Sequence, residues 1–158
     1  MEFVIDPPRG VPPVQIGMTY EQALSAVETW GPPKVSGPYA HTATVKIMAT
    51  VETLDIVVHL EGGERVTAIE LWRFENEEEF NGQVLLDGVD VFRSPAREIL
   101  QHQREKGHTV DDADPENPVI PGVTLAFTRE TGRQVPLDPD DGLPLHFTSV
   151  LVADEEYY

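Results

Sequence analysis

Five histidines are the side chains of this sequence best suited to binding a metal or transferring a proton: His41, His59, His102, His108 and His146. None of them has the spacing of a recognised metal site. His102 and His108 flank the predicted end of a helix, where a protonated imidazole interacts favourably with the helix dipole. His59 and His146 lie in predicted strands and could meet on one sheet surface. The pattern favours structural histidines over a metal centre.

The next candidates for a chemical function are nucleophile and phosphate-binding motifs. None of the four serines, Ser25, Ser36, Ser94 and Ser149, lies in a Gly-x-Ser-x-Gly turn. The sequence contains no phosphate loop, no Gly-x-Gly-x-x-Gly and no His-Glu-x-x-His. It also contains no cysteine, which excludes thiolate zinc sites, iron–sulfur clusters and cysteine nucleophiles. We therefore predict no cofactor, and the absence of these motifs favours a protein that is not an enzyme.

Two acidic clusters suggest calcium as an alternative. They comprise Asp111, Asp112, Asp114 and Glu116, and then Asp138, Asp140 and Asp141. Calcium takes six to eight oxygen ligands, so clustered carboxylates suit it. However, Gly142 comes one position early for an EF-hand loop that starts at Asp138, and the downstream glutamate is missing. The prediction for metals is therefore none, with calcium as the minor alternative.

The formal net charge of −17 limits the partners of this 158-residue chain. Such a field repels nucleic-acid phosphates and anionic membrane surfaces, and it attracts a basic protein. The simpler alternative is that the charge maintains solubility. The first residues show neither a basic segment nor a long apolar run, so we expect a soluble, cytoplasmic protein. Lysine occurs only at Lys34, Lys46 and Lys106, and this preference for arginine hints at a GC-rich bacterial genome.

The first half of the chain predicts one helix followed by three strands. Thr19 and Gln22 form a capping-box pattern at the start of a helix that runs to Trp30. Period-two patterns then predict strands over 43–51, 54–60 and 65–74. A short edge strand over 2–5 precedes the helix. The acidic run over 75–79 resembles a solvated link to the second half.

The second half predicts a similar order. Strands are expected over 83–86 and 89–92, and then a helix with Ser94 as N-cap and Pro95 at its first position. That helix stops at Gly107, and strands follow over 123–128 and 146–153. We predict an α+β fold with an antiparallel sheet and one helix in each half, 1–82 and 83–158. The repeated order, with a short echo between residues 57–66 and 124–135, indicates a two-fold pseudo-repeat within one compact domain.

The helix start resembles a known group of modules. The stretch from Val14 to Ala23, followed by Trp30 to Pro33, is similar to the opening of β-lactamase-inhibitor-like and small outer-membrane-lipoprotein helix-plus-sheet modules. That resemblance implies a binding module whose sheet faces a partner protein. The missing lipoprotein cysteine counts against an envelope role. The segment from Val89 to Phe92 and the tyrosines Tyr157 and Tyr158 also resemble uncharacterised bacterial proteins.

One face of the three first-half strands is the candidate binding surface. In simple hairpin register this outer face would carry Met48, Val57, His59, Trp72 and Phe74. The opposite face would point Val45, Ile47, Ile56, Val58, Ile69 and Leu71 at the helix. An aromatic-bearing second face is either a partner site or a second core layer covered by the other half.

These patterns lead to one main functional hypothesis and two rivals. The main one is a non-enzymatic protein-binding module, an inhibitor or immunity-like partner of a basic protein. The first rival is a small-ligand binder or enzyme with a pocket between the halves, where His59 and His146 converge. The second is a homodimer formed through exposed strand edges.

Overall fold

The computed structural model describes residues 2–73, 80–129 and 136–154. The first-half elements are β1 (Glu2–Ile5), β2 (Gly10–Val11), β3 (Val14–Gln15), α1 (Tyr20–Glu28), β4 (Lys34–Ser36), β5 (Val45–Val51), β6 (Leu54–Leu60) and β7 (Ala68–Trp72). The second-half elements are β8 (Gln83–Leu86), β9 (Val89–Asp90), α2 (Ala96–Glu105), β10 (Val119–Ile120), β11 (Leu125–Thr128) and β12 (Ser149–Ala153). The predicted α+β class with a mainly antiparallel sheet is confirmed.

A seven-stranded antiparallel sheet, ordered β10-β11-β12-β7-β6-β5-β4, forms the centre of the fold. Its strands β4 to β7 come from the first predicted half and β10 to β12 from the second. The halves therefore join edge to edge in one sheet, through the pairing of β7 with β12. The pseudo-repeat stays a prediction. The acidic link at 75–79, the turn at 131–132 and the tail from 155 lie outside the described residues.

The inner face of this sheet follows the predicted pattern. Ile47, Val58, Ile69 and Val152 are successive cross-strand partners, so their side chains point to one side of the sheet. All four are fully buried in the main core. The same core contains the other side chains predicted for this face: Val45, Ile56 and Leu71. Strand parity therefore identifies the inner-face core residues as expected, although Val57, Leu151 and Ala153 on the other face are buried as well.

Helix α1 begins as its capping residues predict. The Thr19 hydroxyl oxygen accepts a hydrogen bond from the Gln22 backbone N–H at 3.3 Å, and the Gln22 side chain accepts one from the Thr19 N–H at 3.1 Å. Ala23 and Val27 are buried in the main core, and α1 packs against β5. The helix ends at Glu28, two residues before the predicted end at Trp30.

Helix α2 begins one residue later than its sequence predicts, and the Ser94 cap is wrong. Pro95 has a ψ of 134°, which is extended, so the first helical residue is Ala96. No side-chain cap bond is formed there, and the Ala96 N–H donates instead to the Leu145 carbonyl at 2.7 Å. The inward residues Ala96, Ile99 and Leu100 are buried as expected.

A second sheet ties the start of the chain to the second half. Strand β1 pairs in parallel with β8, which forms a hairpin with β9. Phe3 lies in the main core and contacts the rings of Trp30 and Phe80, at centroid distances of 5.9 Å and 6.4 Å. The predicted edge strand over 2–5 is confirmed, but parallel pairing with a strand some eighty residues away leaves no local sequence signal.

Both edges of the seven-stranded sheet carry features that oppose strand addition. The edge strand β4 has three residues, includes Lys34, and lies between Pro33 and Pro38. The other edge strand, β10, has two residues and lies between Pro118 and Pro121. Short length, lysine and flanking proline all discourage edge-to-edge pairing. These edges count against a homodimer formed by extending the sheet.

Neither helix in the described parts of the chain has the length and apolar character needed to cross a bilayer.

We expect Thr19→Ala to lower the free energy of unfolding by about 1 kcal/mol, because the Gln22 N–H would lose its capping acceptor. Urea unfolding would measure this change. Ser25→Ala is the matched control, since Ser25 is an exposed residue inside the same helix, and its effect should stay within about 0.5 kcal/mol. Equal losses in both variants would contradict the capping role.

Candidate functional site

Four of the five predicted surface residues share the outer face of the sheet. Met48 and Val57 are direct cross-strand partners, and they are followed by Glu70 on β7. His59 lies opposite Lys46 in the next row of the same face, and Trp72 lies opposite Asp55. Residues two apart on a strand point to the same side, so the hairpin register assumed from the sequence places them together. The fifth residue, Phe74, lies outside the described residues. Their role in binding stays a prediction.

The glutamate between the predicted residues is the part of this face that the sequence missed. The Trp72 indole N–H donates a hydrogen bond of 3.0 Å to Glu70 Oε1. His59 Nε2 lies 3.5 Å from the same oxygen, and the two side chains are 15% and 20% exposed. Glu70 therefore fixes Trp72 through a hydrogen bond and places its partly desolvated carboxylate beside His59, whose Nε2 has no hydrogen-bond partner among the described residues. Its position two residues before Trp72 on a strand was the available signal.

The charges on this face differ from those on the rest of the molecule. Among the pairs between described residues, six basic side chains are bound to aspartates: Arg9, Arg93, Arg97, Arg104, Lys106 and Arg129. Within the described ranges, Lys34 and Lys46 have no acidic partner, and both lie on the outer face by their pairing with β5 and β4. The acids on the same strands and face are Asp55 and Glu70. This face is therefore formally balanced, although the chain carries a net charge of −17.

The second half of the chain does not pack its helix across this face. The buried apolar residues of α1 and α2, and Phe3 and Leu86 of the three-stranded sheet, belong to the inner-face core. On the outer side, Ala68, Leu151 and Ala153 form a separate small cluster with Ala126. This face is buried around those alanines, and it is half-buried at Met48, His59 and Trp72. Where the structure describes the chain, the second half extends the sheet and leaves the outer face without a helical layer.

Three concavities lie around β4 and β5. An apolar cavity of about 370 Å³ includes Tyr20, Val35 and Pro38 in its wall. A groove of about 460 Å³ runs along Lys34, Met48 and Asp55 on the outer face. A cavity of about 320 Å³ beside β4 is lined by Ser36, Tyr39, His41, Thr42, Thr44 and Lys46.

The histidine pair of the rival hypothesis does not converge. His59 is in the cross-strand row of Ala68, which in turn pairs with Ala153 at the far end of β12. His146 precedes Ser149, at the opposite end of that strand. The length of β12, roughly 13 Å at about 3.3 Å per residue, therefore separates the two histidines along the sheet. They offer no shared site to a ligand held between the halves.

The acidic loop over 138–142 is neutralised by two arginines. Arg129, only 4% exposed, donates to Asp141 Oδ2 at 2.8 Å. Arg97 forms an ion pair with Asp140, and its guanidinium also lies 3.5 Å from Asp138. These aspartates face fixed cations, so they are poor ligands for calcium.

In the other acidic cluster, over 111–116, two of the carboxylates accept hydrogen bonds from backbone N–H groups of their own turn. Asp111 accepts a hydrogen bond from the Ala113 N–H at 3.2 Å, and Asp114 accepts one from the Glu116 N–H at 3.1 Å. Asp112 pairs with Arg104 at 3.0 Å. In the parts of the chain that the structure describes, no three acidic or histidine side chains are grouped as metal ligands. The geometry gives the calcium alternative no support.

Two carboxylates have lowered pKa values. Partial burial raises the pKa of Asp141, but hydrogen bonds from the Leu143 N–H and the Arg129 guanidinium outweigh it, so the net pKa is lowered. Burial likewise raises the pKa of Asp87, and the Lys106 and Gln103 side chains lower it by a larger amount. Lys106 Nζ lies 2.7 Å from Asp87 Oδ2. Both sites have the character of structural ion pairs.

No protein-family model matches this sequence. Comparison with curated proteins also finds no significant match, and neither does comparison with solved structures. The resemblance to inhibitor-like modules therefore depends on the helix opening alone.

We expect Asp141→Asn to destabilise the protein at pH 7, with an effect that fades in acid. A pKa lowered by folding stabilises the protein above the pKa of the unfolded chain, about 3.9, and that stabilisation is lost as pH falls through the folded value. Urea unfolding between pH 7 and pH 3 would show the difference from the unmodified protein shrinking. Glu2→Gln removes an exposed carboxylate on β1 and should show little change over this range. A constant effect of Asp141→Asn at all pH values would contradict the ion-pair origin.

We expect the melting temperature to be the same in calcium chloride as in magnesium chloride at equal ionic strength. Both cations screen the net charge equally, and the loop over 138–142 already has Arg97 and Arg129 as counter-ions. Thermal unfolding with each chloride salt would measure this. A rise specific to calcium would restore the calcium hypothesis.

Proposed function

We propose that this protein is a non-enzymatic protein-binding module, an inhibitor or immunity-like partner of a basic protein, and that it docks through the outer face of its sheet. The observation that carries the proposal is the contrast between this face and the rest of the molecule. It is aromatic-bearing and formally balanced, on a chain with a net charge of −17. Central regions of protein interfaces are depleted in charge and enriched in Trp and Met.

Trp72 is the anchor residue of the proposed interface. Its indole is half-buried and fixed by the hydrogen bond to Glu70, so little side-chain freedom is lost when a partner covers it. Met48 lies one row away and supplies half-buried apolar surface beside it, whereas its cross-strand partner Val57 is only 7% exposed and offers a partner little surface. Tryptophans in such settings are frequent hot spots, where truncation costs about 2 kcal/mol or more of binding free energy.

The net negative charge would attract a basic partner before the two proteins touch. Exposed acids such as Glu21 and Glu28 lie on α1, which packs with the inner face. Long-range attraction by these and the other acids would speed the approach of a basic partner, and packing on the balanced outer face would hold it. The association rate should then fall with added salt, while the dissociation rate should change much less.

The resemblance of the helix opening to inhibitor-like modules supports the same proposal. That resemblance implies a helix on one side of an antiparallel sheet and a partner on the other. Helix α1 packs on the inner side of β5, and Met48 of the same strand points outward.

We expect Trp72→Ala to weaken partner binding by about thirtyfold, the equivalent of a hot-spot loss of about 2 kcal/mol. The immobilised protein would capture partners from lysate, and the purified partner would then be measured by surface plasmon resonance. Val4→Ala is the control, since Val4 is 44% exposed on β1 in the other sheet and should leave affinity unchanged. Trp72→Phe keeps an aromatic ring but removes the indole N–H and part of the ring area, so it should lose less than Trp72→Ala.

An affinity unchanged by Trp72→Ala in a folded variant would overturn the proposed surface. A bound partner whose association is insensitive to salt would overturn the electrostatic part of the proposal, and near-ultraviolet circular dichroism would establish that each variant is folded.

A further inference from the structure

The cavity of about 320 Å³ beside β4 has an unusual residue composition for this chain. Its walls are formed by Ser36, Tyr39, His41, Thr42, Thr44 and Lys46. The described residues that line it include no Asp or Glu, although acids outnumber Lys and Arg by 28 to 11 in the whole sequence. With the Lys46 ammonium and no carboxylate in its lining, the cavity is suited to a negatively charged group.

Lys46 supplies the only permanent positive charge among these residues. The other described basic residues apart from Lys34 are held by aspartates or by backbone carbonyls, as Arg65 is by Gly17 at 2.8 Å. Within the described chain Lys46 has neither kind of partner. It lies on β5 opposite Ser36 of β4, so a hydroxyl and an ammonium lie side by side on the outer face.

The loop that closes the cavity is held in place by its own hydrogen bonds. Tyr39 and Thr42 exchange two backbone hydrogen bonds, of 3.0 Å and 3.1 Å. The Thr42 hydroxyl donates to Thr44 Oγ1, whose own proton goes to the Glu61 carbonyl. The Tyr39 ring stacks on His41 with a centroid distance of 6.1 Å.

These bonds leave specific donors for a ligand. The threonine protons are used within the loop, while the hydroxyls of Ser36 and Tyr39 make no hydrogen bond to any described residue. Gly37 has a φ of 83°, and a Cβ there would collide with the Thr44 carbonyl, so the loop closes against β5 only with glycine. The cavity is therefore preformed, which reduces the entropic cost of binding.

We propose that this cavity binds a singly charged carboxylate group, with Lys46 as its counter-ion and the Ser36 and Tyr39 hydroxyls as hydrogen-bond donors. A phosphate dianion is commonly bound by bidentate arginines or by several backbone N–H groups, and this cavity offers one permanent cation, the exposed Lys46. The stacked Tyr39 and His41 rings add a flat apolar wall that suits a planar ligand. The proposal does not rest on the proposed interface, although the site lies on the same outer face, where Lys46 is the cross-strand partner of His59.

Benzoate is the probe for a free carboxylate. We expect saturable chemical-shift changes at the Thr42, Thr44 and Lys46 amides in ¹H–¹⁵N spectra of the full chain. Benzamide, the neutral analogue of the same shape, should produce none of them, and inorganic phosphate should bind more weakly than benzoate. A capped dipeptide with a free C-terminal carboxylate, compared with its amide, tests whether the same group is bound when a peptide carries it.

Lys46→Met should weaken benzoate binding by about tenfold or more, because a charge-assisted hydrogen bond is lost. Lys34→Met is the matched control: Lys34 is the other unpaired lysine on this face, and it lines the neighbouring groove instead of this cavity. Tyr39→Phe keeps the ring on His41 and removes one donor, so it should cost a few-fold, and it keeps the proposal testable if Lys46→Met fails to fold.

Three results would overturn the proposal. The first is an equal loss of affinity in Lys46→Met and Lys34→Met, which would show a general charge effect. The second is an equal response to benzamide. The third is tighter binding of phosphate than of benzoate, which would contradict the match to a single charge.

Discussion

The pairing of β7 with β6 on one side and β12 on the other is the constraint on which the rest of the structure depends. Side chains alternate along a strand, so this register buries Ile69 and Leu71 in the core and turns Glu70 and Trp72 outward. A slip of one residue would exchange the two sets and place a carboxylate in the core. The core and the candidate surface are thus two consequences of a single register.

Local patterns were sufficient to predict much of this arrangement. Alternation along β5, β6 and β7 assigned each side chain to its face, and Thr19 with Gln22 marked the start of α1. These predictions succeed because both signals arise from contacts within a few residues. The Ser94 cap failed because the backbone at Pro95 is still extended, and the Ala96 N–H finds its acceptor at Leu145, far along the chain.

The features that local sequence patterns did not predict depend on contacts between residues far apart in the chain. The parallel pairing of β1 with β8 and the position of β12 beside β7 link distant segments, and no period in the sequence encodes them. The candidate sites show the same limit. The scarcity of lysine was visible from the start, but only the structure shows that Lys34 and Lys46 lack acidic partners in its described parts while Arg97 and Arg129 are neutralised. The contact of Glu70 with His59 depends on the alignment of β6 with β7, which only the structure shows.

The position of β12 has a consequence for how the chain is made. It is the last strand that the structure describes, yet it lies between β7 and β11 in the middle of the sheet. During synthesis, β10 and β11 have no place to join until β12 has left the ribosome. The sheet is therefore completed after translation of nearly all of these residues, and until then β7 is paired with β6 on one side and has an unpaired edge on the other. Such non-local closure is the kind of topology that folds slowly, and it makes the two halves of the sequence one cooperative unit of assembly.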